Sequence, residues 1–393
     1  MTQVAEGVCM ICAIQLWEHS PSYTPTHPDK NTPPDWNPFK WRQDHILISG
    51  PTWPGEGKGT ESIIIPEESV AVQKARVYSR RQATISSTGL KVNIQIENIP
   101  EQHPGYDPDD GTRWYLCLHA ACKNMARKVM NTPVSKIKTM ADLWMTLDRR
   151  CVKASEDGTP VPLCLPHVPN NKPGESIDLG VGRYYIPWQA ICTEEYVLDD
   201  WSQEWWNYNP LDIPHLTEAL MSNLERVESS STHEHFTASF NNLPPEIEDI
   251  ITSLLTEGST SLECTYLMPQ SQWKEILCQV PFLWDLENDI IEAKEQEAVS
   301  ASFEWNWEKL VRQLLSEVPT FVSDNDEEEE DELENVWSYQ TVGLTVPLGF
   351  TNRRRIWQVL VDMYPNDVGM VHFLDEEDQD DDEDEDENTP SES

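Results

Sequence analysis

Apolar residues recur at helical spacing between residues 240 and 255, and this segment carries the clearest pattern in the chain. Its apolar positions lie three or four residues apart, as on one face of an α-helix: Leu243, Ile247, Ile250, Ile251, Leu254 and Leu255. Pro244 and Pro245 fit the first turn, where a missing N–H leaves no intrahelical bond unmade. The pattern predicts an amphipathic helix whose apolar face fits either its own core or a partner.

The remaining patterns mix strands and helices. Residues 45–49, 62–65 and 90–96 are rich in apolar and β-branched residues and predict strands. Helical spacing predicts helices over residues 119–130 and 137–149, the second with an apolar face formed by Met140, Leu143, Trp144 and Leu147. Further helices are predicted around residues 307–315 and 356–364, the last capped by Thr351 or Asn352. These elements predict an α+β fold.

Charge is distributed very unevenly along the 393 residues. The chain has 28 Lys and Arg against 69 Asp and Glu, a net charge of -41, and much of the excess lies in residues 324–334 and 375–387. Blocks of like charge repel themselves, so we expect a disordered acidic loop and tail. Nucleic acid is disfavoured as a partner because its phosphates require clustered Lys and Arg. Arg353, Arg354 and Arg355 begin a predicted helix, and we expect the chain's own acidic runs, or alternatively an anionic ligand, to compensate them.

The segment Leu-Pro-Pro-Glu-Ile at residues 243–247, followed by apolar residues every three or four positions, resembles the opening of an F-box. Residues 272–286, 303–314 and 347–357 resemble later segments of a group of filamentous-fungal F-box proteins, in the same order. The resemblance implies docking on the Skp adaptor of a Skp–cullin–F-box ubiquitin ligase. It implies a docking surface of Leu243, Pro244, Ile247, Ile250, Ile251 and Leu254, braced by Trp273, Leu277 and Trp284. Gly258 and Pro269 predict a break where an ordinary F-box is helical.

These patterns predict five regions. Residues 1–227 form an N-terminal mixed α/β region, and residues 228–239 a Ser-rich linker. Residues 240–290 form the F-box-like helical module. Residues 291–373 form a C-terminal helical region with the acidic loop at 323–334, and residues 374–393 form the acidic tail.

Two pairs of residues have metal-ligand spacing. Cys9 and Cys12 are separated by two residues, as are His119 and Cys122 at the start of a predicted helix, and this gap lets both donors of a pair reach one tetrahedral metal. Buried thiols and a core histidine explain the same residues without a metal. Fungal proteins of the group named above often carry a similar Cys-x-x-Cys and a later His-x-x-Cys. That resemblance implies a structural zinc, with four protein ligands and no open position.

Motifs for catalysis are incomplete. The glycine-rich stretch at residues 50–60 lacks the Ser or Thr after Lys58 that a phosphate loop requires, and neither a Gly-x-Ser-x-Gly elbow nor a His-Glu-x-x-His helix occurs. The protein is therefore expected not to be an enzyme. Neither a bilayer-spanning apolar run nor a signal-peptide pattern occurs, and nine scattered cysteines do not fit a secreted disulfide framework. We expect an intracellular protein, in cytoplasm or nucleus, without membrane contact.

The function that the sequence predicts is non-catalytic: recruitment of an unidentified client protein to the ligase through the F-box-like helix. The alternative is a structural or chromatin-associated protein whose acidic segments bind basic partners. The two hypotheses place the binding site in different parts of the chain, the helix in one case and the acidic runs in the other.

Overall fold

The structure is a computed structural model of the 393-residue chain. It describes residues 9, 11–12, 14, 36–49, 71–75, 83–86, 89–92, 116–153, 205–227, 239–240, 242–256, 261–316, 337–361 and 363. The chain divides into two compact units. Unit 1 comprises Met1–Glu18, Asp44–Leu179 and Val359–Ser393, and unit 2 comprises His19–Gln43 and Gly180–Gln358.

Unit 1 contains five described strands: β1 (His45–Ser49), β2 (Ala71–Ala75), β3 (Ala83–Ser86), β4 (Gly89–Val92) and β5 (Leu116–His119). One antiparallel sheet has the order β2-β1-β5, and β3 and β4 pair antiparallel with each other. Ile46 and Ile48 lie two residues apart, so their side chains are on the same face of the sheet. Both are buried. The predicted strand at residues 45–49 is confirmed, and β4 overlaps the one predicted at 90–96.

Unit 1 also contains two whole helices in its described part. Helix α1 (Ala120–Met130) begins directly after β5, and α2 (Met140–Lys153) follows a short turn. A reciprocal cap fixes the start of α2: Asp142 N donates to Thr139 Oγ1 at 3.0 Å, and Thr139 N donates to the Asp142 carboxylate at 2.9 Å. The predicted apolar face is buried: Met140, Leu143, Trp144 and Leu147. Both helix predictions are confirmed, although α2 begins later than the apolar pattern alone suggested.

Unit 2 is helical in its described residues. Its helices are α3 (Leu216–Ser222), α4 (Pro245–Thr256), α5 (Gln270–Gln279), α6 (Asn288–Ala301), α7 (Trp307–Leu315) and most of α8 (Leu348–Val361). Short 3₁₀ helices form at Lys40–Gln43, Trp205–Asn207 and Tyr339–Val342. Helix α5 packs against α7, and α3 packs against α6. The chain is thus a mixed α+β protein whose described part is mostly helical.

Helix α8 begins earlier than the sequence predicted. Neither Thr351 nor Asn352 caps it, because the helix begins at Leu348 and both residues are buried within it. Pro347 precedes the helix, and its carbonyl accepts a 2.8 Å hydrogen bond from Phe350 N. The Asn352 side chain instead donates to the carbonyls of Trp206 and Tyr208 at 3.1 and 2.8 Å. A tertiary contact has replaced the local capping role that the sequence suggested.

Arg353 is compensated by Asp285, which lies outside both acidic runs. The buried guanidinium donates to both Asp285 oxygens at 2.6 and 2.7 Å. Its remaining donors bond the carbonyls of Pro210 at 2.7 Å, Leu211 at 3.0 Å and Phe282 at 3.2 Å. All five N–H groups of the side chain therefore have acceptors. The planar fork joins three segments of unit 2, which is a structural role.

Several predictions fall outside the described residues. They are the strand at 62–65, the second half of the strand at 90–96, the linker apart from Ser239, the acidic loop at 323–334 and the tail at 374–393. Among the described helices, none combines the length and apolar character needed to cross a membrane.

Candidate functional site

The two predicted ligand pairs meet in unit 1. The ligand atoms of Cys9, Cys12, His119 and Cys122 all lie within 4.8 Å of one another, and all four residues are completely buried. Cys12 Sγ is 3.4 Å from His119 Nδ1, and Cys122 Sγ is 3.9 Å from the same nitrogen. Residues more than a hundred positions apart in the sequence therefore form one cluster.

The sheet and the start of α1 position this cluster. His119 ends β5, where its register partner in β1 is His45, and Ala120 N donates to Asp44 O at 2.7 Å. Cys122 follows in the first turn of α1. On the N-terminal side, Cys9 N donates to the carbonyl of Ile14 at 2.9 Å, which closes a turn around the first pair. His119 N donates to Cys9 Sγ at 3.3 Å and joins that turn to the strand.

Burial and mutual contact shift the thiol pKa values in opposite directions. Burial raises the pKa of Cys9, but hydrogen bonds from Cys12 and Cys122 and the charge of His119 outweigh it, so the net pKa lies well below its ordinary value. Burial raises the pKa of Cys122 well above its ordinary value, and contact with Cys12 and Cys9 raises it further.

The donor set fits a tetrahedral metal ion. Zinc bound at about 2.3 Å to sulfur and about 2.0 Å to nitrogen separates neighbouring S and N donors by roughly 3.5 Å. The observed separations of 3.4 and 3.9 Å bracket that value. The cluster can therefore hold a metal ion, and four protein donors would leave no position for a substrate.

Helix α4 presents an apolar face to solvent. Ile247, Ile250 and Leu254 are 41%, 54% and 73% exposed, and we call these three residues the α4 ridge. Leu243 and Ile251 flank the ridge and are half-buried, while Pro244 before the helix is exposed. These values place the predicted docking residues at or near the surface rather than in the core of unit 2. Large aliphatic residues exposed as a contiguous helical stripe are typical of interaction sites.

The opposite face of α4 contacts its own chain. Thr252 Oγ1 lies 3.5 Å from Met268 Sδ. At 3.6 residues per turn, Thr252 is rotated about 140° from Ile247 around the helix axis. A polar position therefore packs inward while the aliphatic ridge faces water. The half-buried side of α4 also carries Ile251 and Leu255, so aliphatic residues lie on both the half-buried and the exposed sides of the helix.

The three predicted bracing residues lie behind the surface. Trp273 and Leu277 are almost completely buried on α5, and the Arg312 guanidinium lies 5.2 Å from the centre of the Trp273 ring. Trp284 is half-buried, and its ring lies 4.1 Å from the Arg353 guanidinium carbon. Trp273 and Leu277 can stabilise the module from within, whereas their burial keeps them from direct contact with a partner.

Glu308 has a structural role that was not predicted from the sequence. This carboxylate is completely buried on α7 and accepts hydrogen bonds from Thr265 N at 2.7 Å, Thr265 Oγ1 at 2.8 Å and Tyr266 N at 2.8 Å. Arg312 Nε donates to it at 2.9 Å. The bonds hold the segment between α4 and α5, including Tyr266 at φ 50°. The Glu–Arg spacing of four residues was the available signal.

A cationic surface on α1 and the following turn was also missed. Lys123 and Arg127 lie one helical turn apart on the side of α1 away from its buried residues, and Lys136 and Lys138 are exposed in the turn. Partial burial and then the charge of Arg127 lower the pKa of Lys123. The signal was available as a local excess of Lys and Arg in an acidic chain.

No protein-family model, curated protein or solved structure matches the chain.

Proposed function

We propose that this protein is a non-catalytic adaptor that docks through the α4 ridge on the Skp adaptor of a Skp–cullin–F-box ubiquitin ligase and recruits a client protein to it. The proposal combines the residues that resemble an F-box with one structural observation. That observation is a helix whose aliphatic ridge faces water while its other side contacts its own chain.

The energetics favour an apolar groove as the complement of the ridge. Aliphatic surface transferred from water gains roughly 25 cal/mol per Å², before the entropic cost of association is subtracted. Pro244 and Pro245 preset the backbone at the start of α4, and Glu308 holds the segment after it. A helix anchored at both ends loses little conformational entropy on docking, so more of the burial energy appears as affinity.

We propose zinc as the ion held by Cys9, Cys12, His119 and Cys122. Three sulfur donors and one imidazole, buried together, favour zinc over the oxygen-preferring cations magnesium and calcium. When bound, the ion would compensate the negative charge of the thiolates. It would link the N-terminal turn to the sheet and α1, and its role would be structural.

Co-purification of the tagged full chain with the Skp adaptor tests the docking proposal. Wild type should retain the adaptor, and Ile247→Lys should lose it because a lysine ammonium would enter an apolar groove. Val299→Lys is the matched control, since Val299 is a 66% exposed aliphatic residue on α6. Equal recovery of the adaptor by all three proteins, or by none, would contradict the proposal. Recovery that depends on the acidic runs and disappears with salt would favour the alternative of basic partners.

A further inference from the structure

The segment from β5 to the end of α2 is strongly basic within a strongly acidic protein. Residues 116–153 contain two acidic residues, Asp142 and Asp148, against eight of the chain's 28 cations: Lys123, Arg127, Lys128, Lys136, Lys138, Arg149, Arg150 and Lys153. Asp142 caps the start of α2, where its Oδ2 accepts hydrogen bonds from the amides of Lys138 and Thr139. The segment therefore carries a local positive charge that its own carboxylates do not balance.

Four of these cations are exposed or half-buried on α1 and the turn after it, and we call them together the α1 cationic face: Lys123, Arg127, Lys136 and Lys138. Lys123 and Arg127 are four residues apart on a helix, so their side chains are neighbours of like charge. Within the described part of the chain, no ion pair involves any of the four. Three lysines of unit 2 differ, since Lys274, Lys294 and Lys309 each pair with a glutamate.

The helix dipole explains only part of this charge. Cations in the last turn of α1 interact favourably with its C-terminal end, and Arg127 lies there. Lys123 lies in the first turn, where the dipole disfavours a cation. Lys136 and Lys138 lie beyond the helix. An anionic neighbour would relieve the mutual repulsion of these cations.

We propose that the α1 cationic face is a binding surface for acidic polypeptide, and that its resident occupant is this chain's own segment at residues 375–387. Every residue of that segment except Gln379 is Asp or Glu. Met363, the last described residue, belongs to unit 1, as does α1. The chain between residues 363 and 375 can span at most about 40 Å, comparable to the diameter of a domain of this size.

Attachment to the same chain favours this occupant over nucleic acid. A tethered segment acts at an effective concentration of the order of millimolar, whereas a phosphate backbone must approach a protein of net charge -41. The bound tail would keep other polyanions away from the face. An acidic partner would then bind by displacing the tail.

Carbodiimide cross-linking of the full chain tests this proposal, because it joins a lysine amine to a carboxylate only in direct contact. Cross-links from Lys123, Lys136 or Lys138 to residues 375–387 are expected at low salt, and they should disappear near 1 M salt. The Lys294–Glu297 pair provides the positive control, with its atoms 3.0 Å apart. The acidic run at residues 324–334 is the matched control for non-specific attraction. Absent tail cross-links, or equal cross-linking to both runs, would overturn the proposal.

A second measurement uses the full chain with each Asp and Glu of residues 375–387 replaced by Asn or Gln. This variant should bind a labelled peptide of residues 375–393 at least about tenfold more tightly than wild type, whose own tail competes. Adding Lys123→Gln, Arg127→Gln and Lys136→Gln should abolish that gain, whereas Lys274→Gln, Lys294→Gln and Lys309→Gln should preserve it. Equal peptide binding by wild type and the neutral-tail variant would overturn the proposal. If the neutral-tail variant bound an oligonucleotide but not the peptide, that result would also overturn the proposal.

Discussion

The Cys/His cluster of unit 1 and the α4 ridge of unit 2 differ in their exposure to water. In unit 1, three thiols and an imidazole are completely buried and close together. In unit 2, three large aliphatic residues are exposed in a row. Buried polar groups require compensation, and exposed apolar stripes require cover. The two proposals therefore start from opposite observations: an ion held by buried donors in unit 1, and a partner that covers exposed aliphatic residues in unit 2.

The largest expected effect is on the Cys/His cluster, where a single substitution should change both the zinc content and the stability of unit 1. Cys122→Ser should reduce bound zinc from one ion per chain to well below one, because serine is a poor zinc ligand. Metal binding is linked to folding, so unit 1 should lose several kcal/mol and its melting temperature should fall by about 10 °C or more. Elemental analysis and calorimetry measure both quantities.

Cys278→Ser is the control for the loss of a thiol, since Cys278 is exposed on α5 and far from the cluster in sequence. It should retain zinc and stability. If Cys122→Ser leaves zinc content unchanged, the cluster is not the metal site. Cys122→Ser should leave docking through α4 unchanged. Co-purification with the Skp adaptor measures this.

Arg353→Met tests whether the core of unit 2 depends on a buried charge. The variant leaves Asp285, whose side chain is 32% exposed, without its bidentate partner, and it leaves three carbonyls without donors. Solvent can reach Asp285, so the loss should be about 3 kcal/mol, at the lower end for a broken buried pair. Chemical denaturation measures the free energy of unfolding. A loss below about 1 kcal/mol would show that the pair contributes little.

Ile250→Lys should affect binding but not stability. Ile250 is 54% exposed, so a lysine there meets water in the free protein and an apolar groove in the complex. Affinity for the Skp adaptor should fall by about 2 kcal/mol or more, roughly 30-fold. Titration calorimetry gives the affinity, and thermal unfolding should shift by less than a few degrees. Unfolding of the variant would mean that the ridge belongs to the core.

Glu308→Gln should have a local effect on the segment that follows α4. The amide keeps the shape but replaces one acceptor oxygen by a donor facing the amides of Thr265 and Tyr266. Unfolding free energy should fall by about 1–3 kcal/mol. Hydrogen exchange at residues 261–268 should rise more than at α8, which makes no contact with Glu308 among the described bonds. Uniformly faster exchange would contradict a local role for this carboxylate.

Local patterns predicted the elements of both regions well. The spacing of Ile247, Ile250 and Leu254 predicted α4, and the two ligand pairs predicted a cluster that the structure brings together. Periodicity alone could not show which way α4 faces, because a stripe looks the same whether it covers a core or meets a partner. The inward contact of Thr252 with Met268 is tertiary information.

The errors share one cause. Asn352 was predicted as a candidate helix cap, and Arg353 as a cation compensated by an acidic run or by an anionic ligand. Each instead bonds backbone carbonyls brought near by the fold: those of Trp206 and Tyr208 for Asn352, and that of Pro210 among others for Arg353. Glu308 was missed for the same reason, since its partners precede it by more than forty residues. Long-range hydrogen bonds of polar side chains leave little periodic trace in a sequence.

Photo-cross-linking tests the central claim most directly, because it reports what touches the ridge. The full chain carrying a benzophenone side chain at position 254, where the native leucine is 73% exposed, is mixed with the Skp adaptor and irradiated. The same label at position 299, on α6, gives the background. Our account predicts a covalent adduct with the adaptor from position 254 and not from position 299. No adduct at position 254, or equal yields at both positions, would contradict it.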